Sequence, residues 1–256
     1  MFVNERHKKI CEMLRENGSV MTAQLAEHFA VSIETVRRDL LTLEQQNHLH
    51  RVHGGAVIPE EMQQFMSLSE RLKINEDSKL ELCRTACNFI NEGDVIGVDC
   101  GSTAVSFAAA LKENFSSLTV VTCCLDVFES LCRYKDFKVI LCAGEFLKKE
   151  NVFSGPLALD ALSKLHMQKV FIFPAALSLR FGICDHRTET FGLQEQFLKS
   201  SENIFILADS SKFERTELLK LDDMRTSYTY ITDKNLLSGL KNLYADNDIT
   251  VVTGDE

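Results

Sequence analysis

Two features are missing from this sequence of 256 residues, and each absence excludes a class of protein. No apolar run approaches the roughly 20 residues that a membrane-spanning helix needs, so we expect no membrane association. The N-terminal stretch MFVNERHKKICEML has an amphipathic helical pattern with charges throughout, which is not the composition of a signal peptide. The expected location is therefore the cytoplasm.

CxxC pairs are also absent, although the sequence has nine cysteines. The cysteines stand in apolar stretches such as IGVDC and VVTCC, which indicates reduced core thiols in a cytoplasmic protein. Cys83 and Cys87 lie one helical turn apart, and we interpret them as core thiols rather than zinc ligands. We expect neither a metal nor a cofactor.

Excess positive charge is missing as well. The net charge of −9 by itself argues against a generic nucleic-acid binder. The charge is uneven, however: residues 1–57 hold seven Lys or Arg, seven Asp or Glu and five His, whereas residues 58–256 hold 21 Lys or Arg against 30 Asp or Glu. A neutral, histidine-rich head on an acidic body indicates two modules with different partners. With 45% hydrophobic residues, the chain can bury a core.

The head has the pattern of three helices. The first places Val3, Ile10, Met13 and Leu14 on one face and stops at Asn17-Gly18. A second short helix begins at Thr22, with Val20 placed to pack against it. Ser32 can cap a third helix, whose buried stripe is Val36, Leu40 and Leu43. Two helices joined by a three-residue turn form a helix-turn-helix unit, and its second helix normally enters the major groove of DNA.

A short ribbon follows the third helix. The alternation of Leu49, Arg51 and Val52 suggests a strand, and Gly54-Gly55 supplies a tight turn. We interpret this ribbon as a wing that lies on the DNA backbone. Arg both pairs with guanine and binds phosphate, so neither helical Arg can be given one role. A small protein-interaction domain is the alternative. The candidate DNA contacts are Ser32, Glu34, Thr35, Arg37, Arg38, Arg51, His53, Gly54 and Gly55.

The stretch VSIETVRRDLLTLEQQNHLHRVHGGAV resembles the signature of the DeoR family of bacterial transcription regulators. Asn47 departs from the usual Gly, although Asn also tolerates the left-handed conformation. The resemblance implies a winged helix-turn-helix that binds double-stranded operator DNA. The positions that fit the pattern are Ser32, Thr35, Val36, Arg37, Arg38, Asp39, Leu40, Leu43, Leu49, Arg51, His53, Gly54, Gly55 and Ala56.

The rest of the chain predicts an α/β domain. Residues 1–57 form the head, residues 58–75 are interpreted as a linker, and residues 76–256 alternate short β-branched runs with helical patterns. Such alternation predicts a mostly parallel sheet covered on both faces. The predicted strands are 95–99, 119–123, 138–142, 169–174, 204–209, 228–232 and 249–252, and the predicted helices lie near 79–91, 104–113, 125–133, 157–166, 189–200 and 235–244.

Ligands of such sheets bind at the carboxyl ends of the strands. Gly101 is followed by two hydroxyl residues at a predicted helix N-terminus, which offers N–H groups to an anion. A second strand end carries a Lys that can neutralise a phosphate. The alternative is an ordinary capped helix and a solvated Lys. The candidate effector-binding residues are Lys79, Asp99, Gly101, Ser102, Thr103, Asp209, Ser210 and Lys212.

Both strand ends, DCGST and DSSKF, also resemble the DeoR effector domain, which is similar in fold to ribose-5-phosphate isomerase and the glucosamine-phosphate deaminases. In that family these motifs line a pocket for a phosphorylated sugar. The loop over 175–189 is unlike the common form, so the sugar specificity does not carry over. Single-residue departures stand at Cys123 (the family's Asn), Ala143 (Gly), Gln168 (Asp) and Gln194 (Lys).

An isomerase of this fold needs a carboxylate base beside the sugar. Residues 174–178 contain none, and Asp185, His186 and Glu189 come later in the chain. We therefore expect no enzyme but a transcriptional regulator: a homo-oligomeric repressor of a sugar-metabolism operon, released by a phosphorylated sugar. A sugar-phosphate isomerase or deaminase-like enzyme, and a regulator with a degenerate pocket, are the alternatives.

Overall fold

The computed structural model describes residues 2–17, 19–46, 48–52, 54–57 and 67–254. The chain divides into two compact units, Met1–Asn75 and Glu76–Glu256, each with its own hydrophobic core. In the described part, no helix is both long and apolar enough to cross a membrane.

The first unit is a winged helix-turn-helix. Its small antiparallel sheet has the strand order β1-β3-β2, which is the wing together with one extra strand that the sequence analysis did not predict. The elements are α1 (Val3–Asn17), β1 (Ser19–Met21), α2 (Thr22–Phe29), α3 (Ile33–Gln45), β2 (His50–Val52), β3 (Gly55–Val57) and α4 (Leu68–Lys73).

The core of this unit follows the predicted helical stripes, with one exception. Ile10 and Leu14 are buried, as are all three predicted residues of α3, but Val3 is 52% exposed and the prediction that it faces the core is wrong. Val3 is the first residue of α1, so it lies beyond the part of the helix that packs on the unit. Periodicity reports the face of a residue but not where along a helix the contact ends.

Of the predicted linker, residues 58–66 lie outside the described residues, as do Gly18, Asn47 and His53. Residues 67–75 belong to the first unit. Ser67 and Glu70 form a reciprocal capping box that starts α4, and Leu68 is buried.

The second unit is built on one parallel sheet of seven strands in the order β15-β14-β12-β9-β4-β5-β6. Every predicted strand is in this sheet, which confirms the α/β fold class. The main elements are α5 (Glu76–Cys87), β4 (Val95–Val98), α6 (Ser102–Asn114), β5 (Thr119–Thr122), α7 (Leu125–Leu131), β6 (Lys138–Leu141), β7 (Glu145–Leu147), β8 (Val152–Ser154), α8 (Pro156–Ser163), β9 (Lys169–Ile172), β10 (Ala176–Ser178), β11 (Gly182–Asp185), α9 (Thr188–Lys199), β12 (Ile204–Leu207), β13 (Leu219–Asp222), β14 (Thr229–Ile231), α10 (Ser238–Ala245) and β15 (Val251–Val252).

Aromatic side chains fill the centre of this sheet. The rings of Phe171 and Phe205, registered neighbours on β9 and β12, stack 4.9 Å apart. Phe107 of α6 packs on Phe171 with 4.7 Å between ring centroids. These contacts fix α6 over the middle of the sheet, so that its N-terminus lies at the carboxyl end of β4.

Two small β structures at this end of the sheet were not predicted. β7 and β8 form a hairpin, and β10, β11 and β13 form a three-stranded antiparallel sheet. Their strands have three or four residues each, too few for alternation to show in the sequence. The second structure carries Asp185 at the end of β11, two residues before Arg187, which directly precedes α9.

Candidate DNA interface and effector site

In the first unit, the turn between α2 and α3 presents the N-terminus of α3. Ala30 takes the left-handed conformation (φ 52°) and closes α2. Ser32 then caps α3, since its hydroxyl accepts a hydrogen bond from the Thr35 backbone N–H at 3.1 Å. The two hydroxyls of Ser32 and Thr35 also lie 2.8 Å apart. The structure thus gives this candidate pair a folding role at the start of the helix.

Arg37 and Arg38 project from α3 into solvent, with side chains 67% and 79% exposed. Both reach Glu34 only at long range, 3.9 Å and 3.8 Å, and exposed pairs of this kind contribute little stability. The side chains of Glu34, Arg37 and Arg38 are therefore accessible to solvent, and the ion pairs between them are weak.

Asp39 is different, because it is buried between α3 and α1. It accepts hydrogen bonds from Arg6 Nε at 2.6 Å, Arg6 Nη2 at 3.0 Å and His7 Nε2 at 3.0 Å. Burial opposes ionisation of this carboxyl, but the bonds from Arg6 and His7 outweigh it and keep the pKa of Asp39 below its ordinary value. The ion pair fixes the orientation of α3 rather than touching DNA.

The wing residues have structural partners of their own. Arg51 donates from its backbone N–H and its Nε to Glu44 at 2.8 Å and 2.7 Å. Gly54 turns the chain with φ +85°, and a Cβ on Gly55 would lie 2.0 Å from the carbonyl oxygen of Val20. Gly54 thus serves the turn between β2 and β3, and Gly55 lets β3 approach β1. The remaining wing candidate, His53, lies outside the described residues.

In the second unit, the loop after β4 gives α6 an uncapped N-terminus. Gly101 has φ 117°, and within the described residues no side chain caps this helix. A Cβ on Gly101 would lie 3.1 Å from Arg187 Nη1. Ser102 is half-buried and Thr103 buried beside this turn. Free N–H groups at such a turn can bind an anion.

A buried polar network lies under this loop. Gln194 Nε2 donates to Asp99 at 2.9 Å and to Asp185 at 3.0 Å, and so joins two carboxylates. Arg187 binds Asp185 through Nε at 2.9 Å and Nη2 at 2.5 Å. Burial raises the pKa of Asp99, whereas Arg187 outweighs burial at Asp185 and keeps the pKa of that carboxyl low. Among the described residues, Asp99 Oδ1, Gln194 Oε1 and Thr190 Oγ1 are buried without a hydrogen-bond partner.

Two cations meet at the end of β9. Arg187 Nη2 donates to the Phe173 carbonyl at 3.2 Å, and its Nη1 donates to the Cys100 carbonyl at 3.3 Å. From the loop after β12, Lys212 Nζ donates to the Pro174 carbonyl at 2.8 Å. Since β9 lies between β12 and β4 in the sheet, Lys212 reaches toward the Gly101 loop.

The remaining effector candidates shape the loop after β12. Asp209 accepts from the Ser211 backbone N–H at 3.2 Å and from its hydroxyl. Ser210 donates to Asp233 from its backbone N–H at 2.7 Å and its hydroxyl at 3.0 Å. These bonds fold the turn that carries Lys212.

Lys79 is buried on α5. The Cys83 thiol donates to the Thr103 carbonyl at 3.7 Å, and Asn235 Nδ2 donates to Ser78 Oγ at 3.4 Å. The helix therefore lies beside the Gly101 loop and the loop after β14. Within the part of the chain that the structure describes, no group of three or more His, Cys, Asp or Glu residues could hold a metal ion.

The four departures from the family pattern fall in different places. Cys123 and Ala143 follow β5 and β6 at the carboxyl edge, and Gln194 lies in the buried network. Gln168 precedes β9, and its Oε1 accepts from the Val95 backbone N–H at 2.7 Å. It is thus at the amino edge of the sheet, opposite the carboxyl edge where the candidate effector residues stand.

Arg187 is the centre of this site, and the sequence pattern did not predict it. An Arg directly after a strand and before a helix is an ordinary sequence feature, and nothing in its local pattern distinguishes it from a surface residue. Its partner Asp185 was considered only as a possible catalytic base. The contacts that matter join residues as far apart as 87 positions, which periodicity cannot report.

Comparisons with known proteins cover both units. The family described as a DeoR-like helix-turn-helix domain matches residues 6–62, and the DeoR C terminal sensor domain matches residues 74–234. The chain is 30% identical to the L-fucose operon activator of Haemophilus influenzae over 98% of this chain and 100% of that protein. It is 28% identical to the glycerol-3-phosphate regulon repressor of Escherichia coli over 90% of each. It is also 28% identical to the transcriptional repressor GlcR of Bacillus subtilis, over 91% of this chain and 90% of that one.

Solved structures give more distant matches. Ribose 5-phosphate isomerase A from Neisseria gonorrhoeae aligns with a TM-score of 0.38 and 20% identity, over 55% of this chain and 54% of that chain. The eIF2B beta subunit from Chaetomium thermophilum aligns with a TM-score of 0.43 and 14% identity, over 68% of this chain and 58% of that chain.

Proposed function

The chain belongs to the DeoR family of DNA-binding transcriptional regulators, and from this premise we propose that it represses a sugar-metabolism operon until a phosphorylated sugar releases it. Two of the three relatives named above are repressors and one is an activator, so their names favour repression. The proposal that a phosphorylated sugar is the effector rests on the turn at Gly101. This turn leaves the N-terminus of α6 uncapped, and Lys212 extends toward it across the end of β9.

The proposed DNA interface is the N-terminal half of α3 with the wing. Arg37 and Arg38 are the accessible cations of this face, and Glu34 lies between them and can accept a hydrogen bond from a base. Arg51 supports the wing through Glu44 and leaves 41% of its side chain exposed for a phosphate.

The Arg38→Ala variant tests this interface. Loss of one good Arg contact to DNA costs about 1–3 kcal/mol, so we expect operator affinity to fall on the order of 10- to 100-fold. Fluorescence anisotropy with an operator fragment at fixed salt measures it. Arg84→Ala is the matched control, because Arg84 is a 65% exposed arginine on the sensor unit. Equal affinities for Arg38→Ala and Arg84→Ala would contradict the proposed interface.

The proposed effector site is the edge from the Gly101 loop to Lys212. A phosphate would accept hydrogen bonds from the N-terminal N–H groups of α6 and from Lys212, since both favour anions. The unpartnered oxygens of Asp99 and Gln194 are acceptors, which sugar hydroxyls could satisfy as donors.

A thermal-shift panel of hexose, pentose, ketose, amino-sugar and alditol phosphates tests this site. A hit should stabilise the protein and lower its operator affinity. In Lys212→Ala, loss of a charge-assisted bond of about 1.5–3 kcal/mol should weaken the hit roughly 10- to 100-fold. Lys164→Ala is the control, because Lys164 is exposed and precedes β9 at the opposite edge of the sheet. A hit unaffected by Lys212→Ala would place the effector elsewhere, and no hit would favour the degenerate pocket.

The proposal treats this site as non-catalytic. Asp185, one carboxylate considered for an isomerase, is fully buried and accepts five hydrogen bonds, so it is a poor base. Glu189 is exposed and accepts from the Thr188 hydroxyl at 2.9 Å. Incubating the protein with each panel compound and finding isomerised or deaminated product would favour the enzyme alternative instead.

We also propose a homo-oligomer, because paired heads match a symmetric operator. Light scattering with size-exclusion chromatography measures the mass against 28.9 kDa for one chain.

A further inference from the structure

Three neighbouring strands of the main sheet, β4, β5 and β6, are each followed by cysteine. Cys100 follows β4, Cys123 and Cys124 follow β5, and Cys142 follows β6, and all four are buried. Cys123 is one of the positions at which the sequence departs from the family pattern. None of these thiols is a contact residue of the proposed effector site.

Cys123 and Cys142 are direct neighbours across two strands. Thr122 and Leu141 are the last registered pair of β5 and β6, and the Cys142 backbone N–H still donates to the Thr122 carbonyl at 2.9 Å. The next residue on each strand therefore points to the same face, with strands about 4.8 Å apart. That spacing lies within the roughly 4.4–6.8 Å between Cα atoms that a disulfide spans. The pKa of each thiol is shifted mainly by a hydrogen bond with the other.

The two sulfurs are not equivalent. The bond donated by Cys123 lowers the pKa of Cys142, because it stabilises the Cys142 thiolate, and it raises the pKa of Cys123. Cys142 also lies next to solvent: β6 is the last strand in the order of the sheet, and the following residue, Ala143, is exposed. Cys142 is thus the thiol of the pair with the greater thiolate character, and it lies on the edge strand of the sheet.

We propose that Cys123 and Cys142 form a peroxide-oxidisable pair that closes a reversible disulfide between the ends of β5 and β6. The Cys142 thiolate attacks one oxygen of hydrogen peroxide, so that an S–O bond forms, the O–O bond breaks and, with one proton, water leaves. The Cys123 sulfur then attacks the Cys142 sulfenic acid, so that the S–S bond forms and hydroxide leaves with the Cys123 proton as a second water. Two thiols and one peroxide give one disulfide and two waters.

A disulfide between Cys123 and Cys142 would also affect the neighbouring loop at Gly101. Burial raises the pKa of the Cys124 thiol to about 11, and the nearby Gly101 backbone N–H partly offsets this rise. The Phe153 backbone N–H donates to the Cys123 carbonyl at 2.9 Å. A covalent bond at Cys123 would therefore fix the segment that packs against the uncapped turn of α6. The effect on effector binding rests on the proposed function, but the formation of the bond does not.

Peroxide titration of the full-length reduced protein tests the pair. After alkylation of the remaining thiols under denaturing conditions, peptide mass spectrometry should find Cys123 linked to Cys142, and dithiothreitol should restore both thiols. Cys123→Ser should lose the linked peptide and trap a Cys142 sulfenic acid that a dimedone probe labels. Cys132→Ser is the control, since Cys132 is partly exposed on α7's C-terminal side and should leave the link intact.

Two results with the protein of unaltered sequence would overturn the proposal. If Cys11 and Cys132, the two partly exposed cysteines, are oxidised while Cys123 and Cys142 stay fully alkylatable, the proposal is overturned. A linked peptide that joins Cys142 to Cys100 or Cys124 instead would overturn it as well. Neither outcome depends on any effector or operator.

Discussion

At the scale of single residues, four arginines of this chain have two different roles. Arg6 and Arg187 are buried and bound to Asp39 and Asp185, so they orient helices and loops. Arg37 and Arg38 are exposed, and their ion pairs are long. A buried pair is costly to break because one partner is left as an uncompensated charge, whereas an exposed pair is exchanged for a phosphate at little cost.

Asp39 gives a prediction about pH. Its pKa is lower in the folded chain than in the unfolded one, so its stabilisation is fully present above about pH 4 and is lost as the pH falls through the folded value. We expect Asp39→Asn to lower the free energy of unfolding by about 3 kcal/mol at neutral pH. The difference from the unmodified chain should shrink as the pH is lowered toward about 3.

Urea unfolding of the full chain, followed by circular dichroism at several pH values, measures this difference. Asp160→Asn is the control, because Asp160 is 62% exposed in its pair with Lys164 and should change stability by less than about 0.5 kcal/mol. A difference for Asp39→Asn that stays constant with pH would show that the carboxylate charge is not what stabilises the head.

At the scale of elements, α3 and the carboxyl edge of the sheet both depend on close backbone approach. In the head, β3 pairs with β1 on one side and β2 on the other, and Gly55 makes the β1 contact possible. At the main sheet, the turn at Gly101 lets Arg187 lie against the α6 N-terminus. In each case a small residue sets the position of neighbouring residues of the proposed site.

The two wing glycines make a matched pair for a test. Gly55→Ala would place a Cβ 2.0 Å from the Val20 carbonyl oxygen, so β1 and β3 must separate. Gly54→Ala meets no atom within 4 Å and costs only the strain of φ +85°, about 1–2 kcal/mol. We expect Gly55→Ala to lower operator affinity and the melting temperature more than Gly54→Ala. Anisotropy and calorimetry measure both, and the reverse order would contradict the close approach.

At the scale of the whole molecule, a head with no net charge is joined to an acidic sensor unit, which explains how a chain of net charge −9 can bind DNA. Local charge at the contact face governs the attraction, and α3 carries two accessible cations. For an effector to release DNA, it must have different affinities for the DNA-bound and free arrangements.

Linkage gives the prediction at this scale. If an effector lowers operator affinity by some factor, saturating operator must lower effector affinity by the same factor, typically about 5- to 150-fold in allosteric proteins. Calorimetric titration of the panel hit into free protein and into the operator complex measures both. Equal effector affinity in the two titrations would mean that the compound binds without acting as the signal.

The sequence by itself determined the helices of the head, the seven parallel strands and the two loops that form the candidate effector site. Periodicity and cap residues are local, so α3 could be placed from Ser32, Val36 and Leu40. The resemblance to the family also came from contiguous motifs, and the matches to both family domains confirm it.

Only the tertiary structure decided which side chains meet. Val3 falls outside the core, Gln168 lies at the amino edge, and Arg187 joins β4, β9 and β11 under the Gly101 loop. These outcomes depend on contacts between residues far apart in the chain, and local periodicity carries no information about such pairs. The cysteines illustrate the same limit: their apolar surroundings predicted buried thiols, but only strand order and register made Cys123 and Cys142 neighbours.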